Sequence, residues 1–598
     1  MRLVLVALAL AACAHPRVIP SPAAPTPAPV ATRSPPRWPV AVRVMTWSGI
    51  GPVELGELPD RPPATYPALW YVEPVHPIAD PATLRGLVVA LRRDHVPGLS
   101  LRGQPVAAML GELRDLPELA ALIVDDTDID GPSLAALDLH LTRLYAARTG
   151  LDDAAIAAIA ARQPQLEVVG FEDCPIGDAG ARWLAQLAQL RAVDLDGTAI
   201  SDDGGAALGA LASLRIVDLG HTNVGTRTAA ALAKLPLEEL FVDGTRMGRA
   251  LGELAPLAPT LVRFDASSGV DHAPTDRDVS WLASTPNLVE VGLDGAIVHD
   301  ALVRAIVTKP ALRQIRLAGA PITLPTIQLL AAHPDLDEVD LARTVIDDAT
   351  AATLVASSTL RVLRLDTTNI GDAALAAPAL PALRELYLSR TRVGDVGLVL
   401  LDAMPELTAL GLAEDPAVGA PTIARIAKLS HLRTLVLDHV GGDLHSLAAL
   451  HELERLYIEQ TAADDALVAA LPAELRVLHL ASTRVTDAAL PALRAMHRLE
   501  EITLGSTAID GGLADLAPWP RMHVLSLYGL PLGDSDVAAL ARAPKLAVLD
   551  LSGTDVRELA PLEAMPHLAL LGLAETRLAP SGEAIVKRLT ARGVDVER

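Results

Sequence analysis

The sequence predicts an α/β solenoid, in which a short strand and a helix alternate along a chain of 598 residues. A motif recurs 21 times, and its first residue moves from 96 to 568 over 20 intervals, a mean of 23.6 residues. Each copy alternates apolar and other residues with the period of a β-strand, and an Ala/Leu-rich run typical of a helix follows it. A unit this small cannot bury its own apolar face, so the units must stack.

The N-terminus reads "MRLVLVALALAACAHP". Arg2 precedes an apolar stretch, Leu3 to Leu10, that is too short to span a bilayer and is typical of an export signal. Leu10-Ala11-Ala12-Cys13 resembles the lipobox of bacterial lipoproteins, which implies that residues 1–12 are a signal peptide and that Cys13 is lipidated. The alternative is ordinary cleavage at the A-x-A-like Ala12-Cys13-Ala14. By the same resemblance, Ala14 in place of Asp implies the outer membrane.

Residues 13–40 form a predicted tether, with nine prolines between residues 14 and 40. Polyproline II structure rises about 3.1 Å per residue, so the tether reaches at most roughly 80 Å. A ligand for a Pro-binding module is the alternative. Residues 41–95 are predicted to cap the first repeat, and "ADPATLRGLVVALRR" indicates a helix with Asp80 as N-cap and Pro81 in its first turn.

Composition excludes several classes of protein. Hydrophobic residues make up 51% of the chain, but they are interrupted too often to form a membrane span beyond the first dozen residues. The net charge of −23 argues against general nucleic-acid binding. Of the two cysteines, Cys13 is taken up by the predicted lipid, so no internal disulfide is expected.

The repeats run from residue 96 to residue 598, including a C-terminal cap, and follow the template L-x-x-L-x-L-x-x-T-x-[IV]-x-D. Examples are "LRAVDLDGTAISDD" from Leu190 and "LRVLHLASTRVTDA" from Leu475. This template resembles the leucine-rich repeat family, in its ribonuclease-inhibitor-like and cysteine-containing branches. The resemblance implies a curved parallel sheet on the concave side and helices on the convex side.

Position 9 of the template carries Thr in 13 of the 21 units, where the family usually has Asn or Cys. A hydroxyl there is expected to bind backbone groups of the turn that leaves the strand. Cys174 occupies position 9 of its unit, so we interpret it as structural and not as a reactive thiol. Asp at position 13, as in Asp202 and Asp487, is expected to cap the helix that it precedes.

"DDTDIDG", residues 125–131, resembles the first half of a calcium loop. Position 12 of such a loop, counted from Asp126, is Leu137, which cannot supply the bidentate carboxylate. In the repeat frame, Thr127 is the position-9 residue, Ile129 is buried and Asp130 lies in the turn. We therefore interpret the stretch as part of the repeat.

No enzyme motif occurs, and we predict no catalytic residue, cofactor or metal. The densest histidine group lacks the spacing of a metal site, and its members are His431, His439, His445 and His451. The longest unit, residues 261–287, contains "SSGVDHAPTDRD", which is expected to form a loop outside the regular repeat.

The concave face, positions 2, 3, 5 and 7 of each unit, is the predicted ligand-binding surface. Positions 5 and 7 of the six units from 166 to 288 carry Glu172, Asp194, Asp196, Asp218, Asp243, Asp265 and Asp294. Positions 2 and 3 add Glu167, Glu238, Glu239 and Glu290, against Arg191, Arg215 and Arg263, a net charge of −8. A later stretch carries residue types that are common in binding hot spots: Arg316, Arg364, Tyr387, Tyr457, His479 and Tyr528. The alternative is that all of these are merely solvated strand residues.

The sequence thus predicts an exported, non-catalytic protein that is lipid-anchored to the bacterial outer membrane and binds a protein partner, with a basic partner favoured by the acidic stretch. A glycan is a less favoured ligand. The alternative function is an envelope-organising spacer without a specific ligand, and an enzyme with an unrecognised site is the third hypothesis. The oligomeric state stays open.

Overall fold

The structure, a computed structural model, describes residues 38–598 apart from 49–50, 59–61, 64, 68, 76–77, 79, 105, 117, 138, 377–381, 513–518, 520, 544 and 566. The predicted signal peptide, Cys13 and most of the tether lie outside the described residues. The chain divides into two compact units, an N-terminal unit that ends at Leu312 and a C-terminal unit that begins at Arg313. The predicted boundaries after residues 12, 40 and 95 stay predictions.

Every one of the 21 predicted repeats contains a three-residue strand at its positions 3 to 5. The strands of the N-terminal unit are β1 (Val42–Ser48), β2 (Gly51–Leu58), β3 (Trp70–Pro74), β4 (Gly98–Ser100), β5 (Ala121–Ile123), β6 (Arg143–Tyr145), β7 (Val168–Gly170), β8 (Ala192–Asp194), β9 (Ile216–Asp218), β10 (Glu239–Phe241), β11 (Arg263–Asp265) and β12 (Glu290–Gly292). The strands of the C-terminal unit are β13 (Gln314–Arg316), β14 (Glu338–Asp340), β15 (Val362–Arg364), β16 (Glu385–Tyr387), β17 (Ala409–Gly411), β18 (Thr434–Val436), β19 (Arg455–Tyr457), β20 (Val477–His479), β21 (Glu501–Thr503), β22 (Val524–Ser526), β23 (Val548–Asp550), β24 (Leu570–Gly572) and β25 (Asp595–Glu597).

Short helices connect the strands. The α-helices of the N-terminal unit are α1 (Pro81–Arg93), α2 (Gly131–Ala135), α3 (Asp153–Arg162), α4 (Asp178–Leu184), α5 (Asp202–Ala207), α6 (Thr226–Leu232), α7 (Asp276–Val279) and α8 (Asp300–Val307). Those of the C-terminal unit are α9 (Leu324–Ala331), α10 (Asp348–Val355), α11 (Ala420–Ile426), α12 (Asp465–Ala470), α13 (Leu490–Ala495), α14 (Asp534–Leu540) and α15 (Pro580–Ala591). The remaining segments are 3-10 helices: Ala107–Asp115, Leu208–Ala210, Gly248–Leu257, Ser280–Ser284, Asp372–Leu375, Gly397–Ala403, His445–Ala449, Asp487–Ala489 and Ala560–Ala564.

The first three strands pair antiparallel, β1 with both β2 and β3, and β3 joins the repeats through a parallel pairing with β4. Strands β4 to β12 are in register and parallel, as are β13 to β25 within the C-terminal unit. The predicted N-terminus of α1 is confirmed, because Asp80 accepts hydrogen bonds from Ala82 N (2.8 Å) and Thr83 N (2.9 Å).

The template positions have the predicted roles. Side chains at positions 4 and 6, such as Val193 and Leu195, are fully buried under the helices. Position 8 adopts a left-handed backbone, as at Asp126 (φ 58°), before the chain turns away from the sheet. The position-9 hydroxyl then donates to the carbonyl three residues earlier, as Thr198 does to Leu195 at 2.6 Å. Eleven threonines make this bond, so the prediction for position 9 is confirmed.

Aspartates at position 13 cap a different helix from the one expected. Asp178 is the first residue of its own helix, and its carboxylate binds the backbone N–H groups of Ser201 (2.8 Å) and Gly204 (3.1 Å) in the next unit. Asp202 likewise binds Gly225 and Thr228 of the unit after it. The same geometry recurs at Asp348, Asp372, Asp395, Asp465, Asp487 and Asp534. Position-13 aspartates therefore link consecutive units.

Aspartate at position 12 does the local capping. Asp152 and Asp347 accept from the third N–H of their own helices at 2.9 and 2.8 Å. Units that have Gly at position 12, such as Gly177, lack this side chain and depend on the preceding unit's aspartate, since Asp153 binds Gly177 N at 2.7 Å. Helix capping is therefore divided between neighbouring units.

Candidate binding surface

The surface that the repeat exposes to a ligand is the side of the sheet opposite the helices, which we call the strand face. It carries the side chains of positions 3, 5 and 7, because positions 4 and 6 point into the core. Parallel, in-register pairing places equivalent positions of successive units side by side, as Asp194 beside Asp218. The predicted acidic side chains therefore form rows along the N-terminal unit.

The predicted ligand-binding role and its alternative, solvated strand residues, both imply exposed acidic side chains, and for these residues that expectation is wrong. Asp218 retains 3% and Asp265 1% of their accessible surface, and Asp194 and Asp243 are also buried. Glu172, Asp196 and Asp294 are half-buried. The strand face of the N-terminal unit is thus a packed polar layer and not a set of freely solvated charges.

Position-5 aspartates have a structural role that explains their burial. The backbone N–H groups of positions 6 and 8 donate to carbonyl groups of the next unit, as Leu195 N does to Asp218 O and Gly197 N to Gly220 O. The N–H of position 7 lies between them and makes no such backbone bond. The Asp194 carboxylate accepts from this N–H of Asp196 at 3.1 Å. The same bond, between the carboxylate and the N–H group two residues later, is made by Asp218, Asp265, Asp340 and Asp550. A buried N–H is costly without an acceptor, so these aspartates stabilise the fold.

A side chain at position 7 can also accept a hydrogen bond from the position-7 N–H, in this case that of the next unit. Asp125 accepts from the N–H of Ala147 in the next unit at 3.0 Å, and Asp438 accepts from that of Glu459 at 2.7 Å. Asp366 and several serines act likewise. A polar residue at either position 5 or position 7 therefore satisfies the backbone, and part of the acidic composition is architectural.

Two glutamates of the strand face lack this backbone role. Glu172 lies 3.1 Å from the guanidinium of Arg148, which also binds Asp126. Glu239 lies 3.6 Å from Arg263, and its Oε2 atom has no hydrogen-bond partner. Burial raises the pKa of each to about 7, although the neighbouring arginine lowers it. Burial, and then the charge of Asp218, also raises the pKa of Asp194. A cation on this face would relieve the repulsion among these carboxylates.

An apolar cluster adjoins the acidic rows. Val168, Ala192 and Ile216 occupy position 3 of consecutive units, are 2 to 7% exposed, and pack with the ring of Tyr145. A Cβ atom at Gly170 would lie 2.8 Å from Cδ1 of that ring, so glycine makes room for it. The N-terminal strand face therefore combines carboxylates with one half-buried aromatic ring, that of Tyr145.

In the C-terminal unit, the predicted residues Arg316, Arg364 and Tyr387 belong to one network. Glu338 lies 3.6 Å from Arg316 and 2.9 Å from Arg364. Arg364 also lies 3.4 Å from Glu385, which accepts a hydrogen bond from the Tyr387 hydroxyl at 3.2 Å. The Arg364 guanidinium stands 5.0 Å from the centre of the Tyr387 ring. The structure brings these three residues together as internal partners.

Tyr457 and His479 form a second group, with ring centroids 4.6 Å apart in an edge-on arrangement. His479 is 1% exposed, and its Nε2 lies 2.8 Å from Glu501, while Nδ1 lies 3.6 Å from Glu459. Burial lowers the His479 pKa, but the hydrogen bond and charge of Glu501, with Glu459 and Asp438, raise it overall. The sequence did not single out these acids, although each lies one repeat or two from His479.

Tyr528 lies apart from that group, against the next unit towards the N-terminus. A Cβ atom at Gly505 would meet its ring at 2.2 Å, and its hydroxyl lies 3.5 Å from the Ser482 hydroxyl. The predicted aromatic stretch therefore comprises three separate sites along the strand face, at Tyr387, Tyr457 and Tyr528.

The other residues that the sequence singled out have structural surroundings. Cys174 is buried, donates to the Ala146 carbonyl at 3.1 Å and has a pKa raised by burial to about 11, which confirms its structural role. In "DDTDIDG", Asp126 binds Arg148, Asp130 caps α2 through Ser133 N at 2.7 Å, and Leu137 is buried. The stretch is part of the repeat, as predicted.

The histidine group does not converge on one point, since His431 pairs with Glu452 and His445 with Asp443 and Asp464. Among the described residues, no cluster of three His, Cys, Asp or Glu side chains is arranged to hold a metal ion. The loop of the long unit is bonded to the preceding turn through Val270 N and the Thr245 carbonyl at 2.9 Å. Within the described part of the chain, no helix has the length and apolar character of a membrane span.

The comparisons with known proteins agree with the repeat. The family model described as "Leucine Rich repeat" matches residues 188–209, which include β8 and its turn. The fold is a leucine-rich-repeat solenoid. No curated protein matches this chain.

Several solved leucine-rich-repeat structures are distantly similar to this solenoid. The ectodomain of the Arabidopsis thaliana receptor kinase GASSHO1/SCHENGEN3 is 16% identical with a TM-score of 0.35, over 84% of this chain and 66% of that chain. The TLR13–ssRNA13 complex is 15% identical with a TM-score of 0.35, over 87% and 86%. An internalin from Listeria monocytogenes is 16% identical with a TM-score of 0.24, over 65% and 82%.

Proposed function

We propose that this leucine-rich-repeat solenoid is a non-catalytic recognition protein that binds a basic protein partner through the strand face of its N-terminal unit. It is of the ribonuclease-inhibitor-like type, and it is exported and anchored to the bacterial outer membrane by a lipid on Cys13. The observation that carries the proposal is that Glu172 and Glu239 bind no backbone N–H group and face only arginines, at 3.1 and 3.6 Å, while Oε2 of Glu239 has no hydrogen-bond partner. Burial also raises the pKa of each glutamate to about 7. A basic side chain from a partner would stabilise their charged forms.

The neighbouring contacts support a protein ligand. Tyr145, which is half-buried against the buried side chains of Val168, Ala192 and Ile216, adds apolar contact area near the carboxylates, and a binding site for a protein segment combines both kinds of surface. The position-5 aspartates hold the backbone beneath, so the site is rigid before a partner arrives.

The test replaces the two glutamates by an isosteric, uncharged residue. We expect the Glu172→Gln, Glu239→Gln double variant to bind the partner captured from the cell envelope more slowly than the unaltered protein, and with a weaker dependence on salt. Glu253→Gln, in the 3-10 helix Gly248–Leu257 and away from the strand face, is the matched control. Equal binding by the double variant and the control would contradict the proposed site.

The alternative function, an envelope-organising spacer, is favoured by the internal pairing of Arg316, Arg364 and Tyr387, which leaves that stretch occupied by its own contacts. A spacer retains no stoichiometric partner under the same capture conditions. The capture experiment with the unaltered protein therefore distinguishes the two functions before any variant is made.

A further inference from the structure

A groove of about 800 Å³ lies at the edge of the sheet in the C-terminal unit, where three consecutive strands pass into their turns. It is separate from the strand face, because its walls are turn residues after position 7. The lining residues are Leu324, Thr344, Val345, Ile346, Asp347, Asp348, Ala349, Thr367, Thr368, Asn369, Arg390 and Arg392.

One side of the groove is apolar. Leu324, at the start of α9, is half-buried, and Ile346 is buried in the turn of the following unit. Val345 stands beside them with 82% of its surface exposed, the largest fraction among the exposed large hydrophobic residues of the described chain. A ligand with an aliphatic side chain would cover Val345 and remove this surface from water.

The lining also includes two arginines. Arg390 and Arg392 are both exposed, and Arg390 pairs with Glu414, whose side chain is 39% exposed. Such exposed pairs contribute little and exchange readily with another carboxylate. Arg392 donates a hydrogen bond to the Asn369 carbonyl, which holds its guanidinium against the groove. Two guanidinium groups among the lining residues favour a carboxylate ligand.

The acids in the lining do not cancel this preference, because their carboxylates are engaged in the turns. Asp347 accepts from Thr350 N at 2.8 Å, and Asp348 accepts from Gly371 N in the next unit at 2.7 Å. Helix N-terminal N–H groups therefore compensate both negative charges locally.

We propose that this turn-edge groove binds an extended peptide segment that presents a carboxylate side chain close to an aliphatic one. The carboxylate binds Arg390 and Arg392, and the aliphatic side chain packs on Val345 and Leu324. Val345 and Arg392 occupy the same turn position two units apart, about 10 Å at the spacing of neighbouring strands. An extended peptide covers this distance with about three residues.

The experiment measures fluorescence anisotropy of dye-labelled octapeptides with the full-length protein. The probe repeats Leu-Leu-Asp-Asp, so that each face of the extended chain presents leucine and aspartate in turn, and the matched peptides replace every aspartate by asparagine or by lysine. We expect the aspartate peptide to bind roughly tenfold more tightly than the asparagine peptide, with an affinity that falls as salt is added.

Two pairs of variants locate the binding. Arg392→Glu should weaken binding of the aspartate peptide roughly tenfold, whereas Arg484→Glu, at the same turn position of the unit from 475, should leave it unchanged. Val345→Ser should weaken binding severalfold, whereas Val396→Ser, 76% exposed but outside the groove, should not. All four side chains are exposed, so amide exchange should show an unchanged fold.

Equal affinity for the aspartate and asparagine peptides would overturn the proposal, as would equal effects of Arg392→Glu and Arg484→Glu. Preference for the lysine peptide would also overturn it and would point to the acidic strand face instead. These outcomes are independent of the recognition function proposed above, because Glu172→Gln, Glu239→Gln should not change binding of the aspartate peptide.

Discussion

Asp415 provides the sharpest test of the buried polar layer, because it places a carboxyl group at position 9, where most units have threonine. It is fully buried. Its Oδ1 accepts from Thr391 N at 2.7 Å, while its Oδ2 has no hydrogen-bond partner. Burial raises the pKa of Asp415 to about 7, although the hydrogen bonds from Thr391 lower it. The substitution Asp415→Asn keeps the acceptor and removes the charge.

The magnitude follows from the two pKa values. A tenfold change in proton affinity corresponds to about 1.4 kcal/mol, so a change from the ordinary 3.8 to about 7 corresponds to about 4 kcal/mol. Because the folded-state pKa of Asp415 is raised, the protonated folded form is favoured. The stability contributed by this proton is complete below about pH 4 and is lost as the pH rises towards 7. Asn at this position does not titrate, so the variant should lack this pH dependence.

The assay is amide exchange, corrected for intrinsic rates, over residues 383–431, because a repeat array loosens locally and not as one two-state unit. Burying an amide N–H₂ group in place of Oδ2 costs about 1 to 3 kcal/mol. We therefore expect Asp415→Asn to protect these residues better than the unaltered protein at pH 8.5 and less well at pH 4. Asp402→Asn, exposed in the preceding unit, is the control. A difference between the two proteins that does not change with pH would refute the reasoning.

The repeat and the N-terminus give three further predictions. Thr368→Val removes a hydroxyl that donates to the Leu365 carbonyl at 2.6 Å, at a cost of roughly 1 to 3 kcal/mol. Amide exchange should rise mainly within residues 336–406, and uniform loosening of all units would contradict this prediction. Asp178→Ala should loosen α5 in the next unit by about 0.5 to 2 kcal/mol, whereas Asp152→Ala should loosen its own helix, which exchange rates of the two helices distinguish. Cys13→Ser should abolish acyl-chain labelling and membrane association, and a soluble unaltered protein without detergent would disprove the lipid anchor.

Much of the fold was predictable because the same pattern of apolar and polar residues recurs in every unit and predicts the same strand each time. Position 1 of every predicted unit is followed two residues later by an observed strand, from Val96 with β4 to Leu568 with β24. The helical segments were less predictable. Gly248–Leu257, for example, forms a 3-10 helix and not an α-helix.

The roles of the acidic side chains were not predictable from one unit alone, because their partners lie one repeat away. Asp178 binds Ser201 and Asp125 binds Ala147, separations of 23 and 22 residues that no local pattern reveals. The strand-face charges were therefore interpreted as exposed. Substitution of Asp194, Asp218 and Asp243 by lysine would place ammonium groups in buried positions, so we expect it to disrupt the fold.

Comparison of neighbouring units separates structural acids from candidate binding acids. An aspartate at position 5 reaches the N–H of position 7 through its short side chain, as Asp194 and Asp218 do, and this recurring geometry needs no ligand to explain it. Glu172 and Glu239 make no such bond in the described structure and instead face arginines at 3.1 and 3.6 Å. Their carboxylates can change partner without exposing a backbone donor. Glu172 and Glu239 are therefore proposed as binding residues because neither supports the strand, and the isosteric double substitution tests these two positions without removing a backbone acceptor.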